Sequence, residues 1–337
     1  MKLGLTIPYT TPLHRPAVLA LARAADQLGY ETLRIAEHNG WDPFPVLAHL
    51  ASVTERIKLG TGVASVFGRS PAQLAQAAVT VDAISRGRLV LGLGTSGPLF
   101  VRGWHGVPYE SGLARLRETV EIVRLLARRE PLVHRGRVFD LEDGLSLGVR
   151  PVRDRIPVFL GSLTPRGLEL AGEIADGWLP TFFSPRHFEP LLRPHLERGA
   201  SRSGRSLSDL AICVSQSVHV TDDVDEGRDA VRPQLALFIG GMGTRRTNYY
   251  NRLWRRYGFE AEAERIQACY LAGREDEAAE AVTDEMVDLV TIVGPVARCR
   301  ERLRELELAG VDEVSLLVTL PEEDPAALVE VLEALAA

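Results

Sequence analysis

The feature that most constrains this chain is a signal repeated at five places: an apolar run, then a capping residue followed directly by proline, then a helical pattern. The pairs are Asp42-Pro43, Ser70-Pro71, Thr164-Pro165, Ser184-Pro185 and Asp324-Pro325. A side-chain oxygen satisfies the free amides of a helix start, and proline at the first helical position has no amide to leave unpaired. Helix starts are thereby fixed, and the segment before each must be a strand or its loop. Strand-like runs cover 2–9, 32–38, 58–65, 88–96, 157–163, 177–183, 210–220 and 313–320, eight in all.

The first helix shows how the faces are divided. After Pro16, the residues Val18, Leu21, Ala22, Ala25 and Leu28 recur at helical spacing until Gly29, giving one stripe to pack on a sheet. Runs such as "RLVLGLG" and "VSLLV" are apolar without alternation, the pattern of a parallel sheet covered on both faces. Eight strand–helix units predict an α/β fold, a closed (β/α)8 TIM barrel, with an open doubly wound sheet as the alternative that counting strands leaves standing. At 337 residues and 45% hydrophobic content, a single domain over 1–337 can enclose such a core. Two stretches exceed a simple crossover: 130–156 after the fourth strand, and 221–310 after the seventh, which ends in a helix from about Pro295 to Ala309. Both are expected as insertions.

A formal net charge of -6 gives no electrostatic reason to expect nucleic acid or an anionic membrane as partner, which leaves small molecules. Cys213, Cys269 and Cys299 are odd in number and irregular in spacing, so neither a disulfide framework nor a metal ligand set is expected. The chain enters a strand at once, without a signal-type n-region or an apolar run of membrane-spanning length, and a cytoplasmic location is expected. "TRRTNYYNRLWRRYG", 244–258, mixes five arginines with aromatics; in an acidic chain it reads as a helical insertion with a solvated basic face, or as a cover over the site. "TDDVDEG", 221–227, misses calcium-loop spacing and reads as a helix start capped by Thr221.

In a barrel the site lies where the strands end. The candidates are Pro8, Tyr9 and Thr10 after the first strand, Glu37, His38 and Asn39 after the second, Gly62 to Ser65 in the third, Gly94, Thr95 and Ser96 after the fourth, Gly161, Ser162 and Thr164 after the fifth, and Thr181 after the sixth. His38, with Glu37 beside it, can exchange a proton or merely tie down the loop that follows. His105 reads as a loop-fixing residue. Glycines inside a strand cost packing and entropy, so Gly60 and Gly62 suggest that something lies close against that backbone. "GLGTSG", 92–97, matches a dinucleotide-binding pattern, but no helix is expected to open directly after it; a strand end cleared for a flat ligand, with Thr95 and Ser96 as donors, fits better. "GSLTPRG", 161–167, has the composition of a phosphate cradle and equally that of an ordinary helix cap.

Taken in order, "RIKLGTGVASVFGRSPAQLAQAAVTVDAISRGRLVLGLGTSG", "GWHGVPYE", "PVFLGSLTPRGLELAGEIADGWLP" and "VGPVARCRERLRELELAGVDEV" resemble the luciferase-like monooxygenase superfamily. Within it they are similar to the branch of oxidoreductases that use the deazaflavin coenzyme F420, of the methylenetetrahydromethanopterin reductase type. The resemblance implies a (β/α)8 barrel with the cofactor ring at its C-terminal mouth. It also implies a non-prolyl cis peptide at Gly62-Val63, where the glycines let the backbone bulge toward the ring. Gly62, Val63 and Ala64 would then support the ring, Gly94 and Thr95 would meet its edge, and Gly161, Ser162, Leu163 and Thr164 would hold its phosphate. His38 would be the proton donor or acceptor, oriented by Glu37. An FMN-dependent monooxygenase and a non-catalytic flavin-binding protein are the alternatives, and a homodimer is usual in the family. One departure stands out: sugar-phosphate dehydrogenases of this kind carry a glutamate just after the fourth-strand glycines, where this chain reads Ser96, Gly97, Pro98.

Overall fold

The computed structural model describes residues 1–7, 15–318 and 324–336. The strands are β1 (Lys2–Thr6), β2 (Thr32–Ile35), β3 (Lys58–Thr61), β4 (Ala64–Ser65), β5 (Leu89–Gly94), β6 (His134–Arg135), β7 (Asp140–Leu141), β8 (Val158–Gly161), β9 (Gly177–Trp178), β10 (Ala211–Val220), β11 (Thr291–Gly294) and β12 (Glu313–Val318). β1, β2, β3, β5, β8, β9, β10 and β12 pair in that order, all parallel, and β12 pairs back onto β1. This is the closed eight-stranded barrel; the open sheet is excluded. Pro8, Tyr9 and Thr10 lie outside the described residues.

Side-chain caps close four of the five anticipated helix starts. Asp42 accepts from the Phe44 amide at 3.1 Å, Ser70 from Gln73 at 3.2 Å, Thr164 from Gly167 at 3.2 Å and Asp324 from Ala326 at 2.8 Å. Ser184 instead meets the His187 ring at 2.9 Å, and only Pro185–His187 is α-helical before the chain widens into a π-turn. Thr221 does not cap a helix: its hydroxyl accepts from the Asp223 amide, and Asp223 caps Val224–Ala236. The helix after "GLGTSG" does exist, over Pro98–Gly103, but it rises from a closed barrel rather than an open sheet. The segment between β5 and β8 also carries the antiparallel β6–β7 hairpin. The segment between β10 and β12 carries helices and β11, which the sequence reading missed; it pairs with β10 from Ser217 to Val220, beyond the reach of β9 at Ala211–Ile212.

The barrel interior is filled by a few large side chains set against glycines. Arg34 from β2 is 2% exposed and forms an ion pair with Glu313 of β12, while Thr32 donates to the same carboxylate and receives a bond from Arg34 at 2.6 Å. The stem of Arg34 explains Gly60 and Gly62. A Cβ at Gly60 would lie 3.4 Å from Arg34 Cγ and 3.1 Å from the Val90 carbonyl, and one at Gly62 would lie 3.1 Å from Arg34 Cβ. Part of the space those glycines leave is taken by the aliphatic stem of the protein's own Arg34. On the outside, Pro165–Ile174 and Arg193–Arg202 approach at backbone distance, since a Cβ at Gly172 would meet the Leu196 carbonyl oxygen at 2.1 Å. That contact seats the helix that follows the "GSLTPRG" loop.

Candidate active site

A cavity of about 1040 Å³ opens over the C-terminal ends of the strands, and most of the sequence candidates meet there. Glu37, His38, Asn39, Gly62, Val63, Ser65, Gly94, Thr95, Ser96, Gly161, Ser162, Leu163, Thr164 and Thr181 all line it. Ala64 does not. Its side chain is fully buried in the core, because pairing of β4 with β5 at Ala64–Leu93 turns it away from the mouth.

The peptide between Gly62 and Val63 is cis, where β3 ends and before β4 begins. Val63 there takes the room that side chains at two neighbouring strand ends would need: a Cβ at Gly94 would sit 2.7 Å from Val63 Cγ2, and one at Gly161 3.1 Å from Val63 Cγ1. Gly94 and Gly161 thus admit Val63, and the smooth wall facing the cavity is built by all three together.

Glu37 does not orient His38. Its carboxylate forms an ion pair with Arg69 and accepts from the Ser65 amide at 2.6 Å, while its own amide bonds the Val63 carbonyl at 3.1 Å. Arg69 also bonds Asp42 at 2.5 Å and lies over the Phe44 ring at 4.9 Å. Burial works against the Arg69 charge, but Glu37 and Asp42 hold its pKa above the ordinary value. Glu37 is therefore the clamp that ties the end of β2 to the bulge of β3–β4. His38 takes its partner from Asn39, with Nδ1 2.7 Å from Asn39 Oδ1. A carbonyl oxygen can only accept, so in this contact Nδ1 carries the hydrogen.

His105, read as loop-fixing, packs edge-on against Phe100 at 5.2 Å. Burial lowers its pKa, with Glu37 opposing and Arg69 adding to the shift. The phosphate-type loop is held from outside: Trp178 Nε1 donates to the Ser162 carbonyl at 2.9 Å, and Arg256 donates to the carbonyls of Leu163 at 3.3 Å and Leu191 at 2.9 Å. Arg256 was grouped with the basic stretch, and its role here could not be seen because its partner lies 93 positions away. That stretch forms the helix Tyr249–Arg256 and places Tyr249 and Tyr250 in the cavity wall. Tyr109, missed by the sequence reading, stacks on Phe67 at 5.1 Å and brings its hydroxyl 2.9 Å from that of Tyr249. Burial raises its pKa, so the phenol stays protonated and can donate.

Val63 and the strand-end glycines line the cavity together with Thr95, Ser96, Tyr109, Ser162 and Thr164, the last capping the helix Pro165–Ile174. This suits a planar heterocycle with polar edges and an anionic tail.

The comparisons agree with this geometry. Residues 1–313 match the family model described as luciferase-like monooxygenase. The chain is 39% identical over 324 residues to a Mycobacterium tuberculosis protein assigned to the coenzyme F420-dependent oxidoreductases, covering 92% of this chain and 93% of the relative. It is 32% identical over 299 residues to the 5,10-methylenetetrahydromethanopterin reductase of Archaeoglobus fulgidus, covering 87% and 86% of the two chains. In fold it superimposes on the coenzyme F420-dependent tetrahydromethanopterin reductase of Methanopyrus kandleri with a TM-score of 0.83, at 24% identity over 99% of this chain and 97% of the other. With its barrel closed, its strand-end cavity in place and the family model matched over nearly its whole length, the chain belongs to the luciferase-like monooxygenase family.

Proposed function

We propose that the protein is an oxidoreductase that binds coenzyme F420 in the strand-end cavity and moves a hydride between it and a small organic substrate. The observation carrying this reading is the near full-length likeness to a protein assigned to the coenzyme F420-dependent oxidoreductases, joined to a cavity whose lining suits the cofactor's outline. When bound, the deazaflavin supplies or accepts the hydride and, unlike a flavin, scarcely reacts with oxygen; the protein supplies orientation and electrostatics.

Val63 and the backbone at Gly94 and Gly161 would support the ring, Thr95 and Ser96 would hold its edge, and Ser162 and Thr164 would hold the phosphate, on a loop kept in place by Trp178 and Arg256. His38 exchanges a proton at Nε2 with the substrate atom next to the carbon that gains or loses hydride, and Asn39 fixes the ring in the tautomer this requires. Glu37 acts only through position, holding the bulge that presents Val63.

The family description itself favours a second reading, an FMN-dependent monooxygenase fed with reduced flavin. Oxygen uptake separates the two. Mixed in air with reduced F420 or with reduced FMN, the protein is expected to leave oxygen consumption at the cofactor's own background rate. Enzyme-dependent oxygen uptake with reduced FMN would replace the first reading with the second.

A further inference from the structure

At about 1040 Å³ the cavity stands at the upper end of the roughly 300–1,000 Å³ of ligand pockets, and its lining runs on from Val63 and the strand-end glycines to Phe182, Phe238, Tyr250 and the rim at Leu99, Trp104 and Met242. What lines that space limits what can fill it.

Among the described residues, the cavity is lined by the acidic and basic side chains of Glu37 and Arg34 and by the imidazole of His38. Arg34 is neutralised by Glu313 and Glu37 by Arg69. No arginine or lysine in that lining is left over, and the anion-favouring helix start at Thr164 is assigned to the cofactor's own tail, so a charge on a second ligand buried there would be unpaired and disfavoured. The far wall is aromatic: the rings of Phe182, Phe238 and Tyr250 meet edge-to-face at 4.9–5.7 Å. The rim is apolar and exposed. Leu99, Trp104 and Met242 line the cavity while 53%, 61% and 37% exposed, and Trp104 is braced by Phe100 stacked at 6.2 Å. Large apolar side chains grouped at a cavity mouth mark a surface that a ligand covers.

We infer that the second ligand, the substrate, is an uncharged and largely apolar molecule that enters past Leu99, Trp104 and Met242 and lies against the aromatic wall, with one polar group reaching His38. This rests on the reading of the cavity as a cofactor site, which it deepens by naming the substrate class. On this inference phosphorylated and carboxylated substrates bind poorly in the space beside the cofactor.

The test uses a matched pair of fluorescent probes, uncharged N-phenyl-1-naphthylamine and its anionic sulfonate, 1-anilinonaphthalene-8-sulfonate, titrated into the protein with and without F420. The F420-loaded protein is expected to bind the uncharged probe at least tenfold more tightly than the sulfonate. Leu99→Asp and Trp104→Ala, both at exposed positions where folding is tolerant, are expected to weaken the uncharged probe about tenfold or more and to leave F420 affinity unchanged. Equal or tighter binding of the sulfonate, no binding of either probe, or indifference to both substitutions would overturn the inference. So would rim variants that change the oligomeric state in place of probe affinity, since the rim would then be covered by a second copy. Failure of F420 to bind, with the probe preference intact, would remove the cofactor reading and leave the apolar character of the mouth standing.

Discussion

Replacing His38 by alanine is expected to lower turnover about 10²–10⁴-fold, the span that a positioned general acid or base contributes, with cofactor affinity close to that of the native protein. The expectation follows from position. His38 lies three residues past the end of β2, lines the cavity, and has Nδ1 2.7 Å from Asn39 Oδ1, so the proposed proton exchange is assigned to Nε2. Asn39→Ala provides the control: it frees the tautomer without removing the imidazole, and should reduce turnover by a smaller factor while shifting the pH profile. Pre-steady-state kinetics of His38→Ala, measured beside an F420 titration, separate a lost proton transfer from a lost binding site. Unchanged turnover would take His38 out of the mechanism and leave it as a residue that fixes the loop.

The largest effect on stability is expected from Glu313→Ala. Arg34 is 2% exposed and has its ion-pair partner in Glu313, itself 5% exposed. Burial alone would lower the pKa of the guanidinium; the Glu313 carboxylate more than offsets this and keeps it charged. Removing the carboxylate leaves a buried cation uncompensated, at a cost of about 3–5 kcal/mol. At roughly 2 °C per kcal/mol, the lower slope suited to a long chain, Tm should fall by about 6–10 °C. Taking out both charges with residues of similar volume, Arg34→Met with Glu313→Leu, is expected to recover most of that loss, because a buried pair can be exchanged for apolar packing at little net cost. Differential scanning calorimetry of the single and double variants decides it. A Tm for Glu313→Ala within about 1 °C of the native value would show that water reaches Arg34 and that the barrel floor is not sealed.

The parts of this molecule that were legible in the sequence are those written in local chemistry. Cap–proline pairs fixed the helix starts, and continuous apolar runs gave the eight barrel strands, because both depend on residues within a few positions of one another. β11 was missed because Thr291 follows directly on the helix Asp284–Val290 with no turn residue between, so its four residues read as more helix. Glu37 was assigned to the right place and the wrong partner. Adjacency in sequence suggested His38, whereas the carboxylate faces Ser65 and Arg69, 28 and 32 positions away. The glycines of the third and fourth strands were correctly read as places where something comes close, but what comes close is Arg34 and Val63. These two side chains, from distant positions, were invisible to any argument based on spacing. Tyr109 and Arg256 were missed for the same reason, since each gains its role from a contact across the fold.

In the proposed function the strand ends form a bed for a deazaflavin. An equilibrium fluorescence titration of the purified protein against F420 and FMN, with each as competitor of the other, tests it most directly. Saturable F420 binding at one site per chain, not displaced by equimolar FMN and weakened when Val63 is replaced by aspartate, is the predicted result. Preferential FMN binding, or F420 affinity that ignores Val63→Asp, would contradict it.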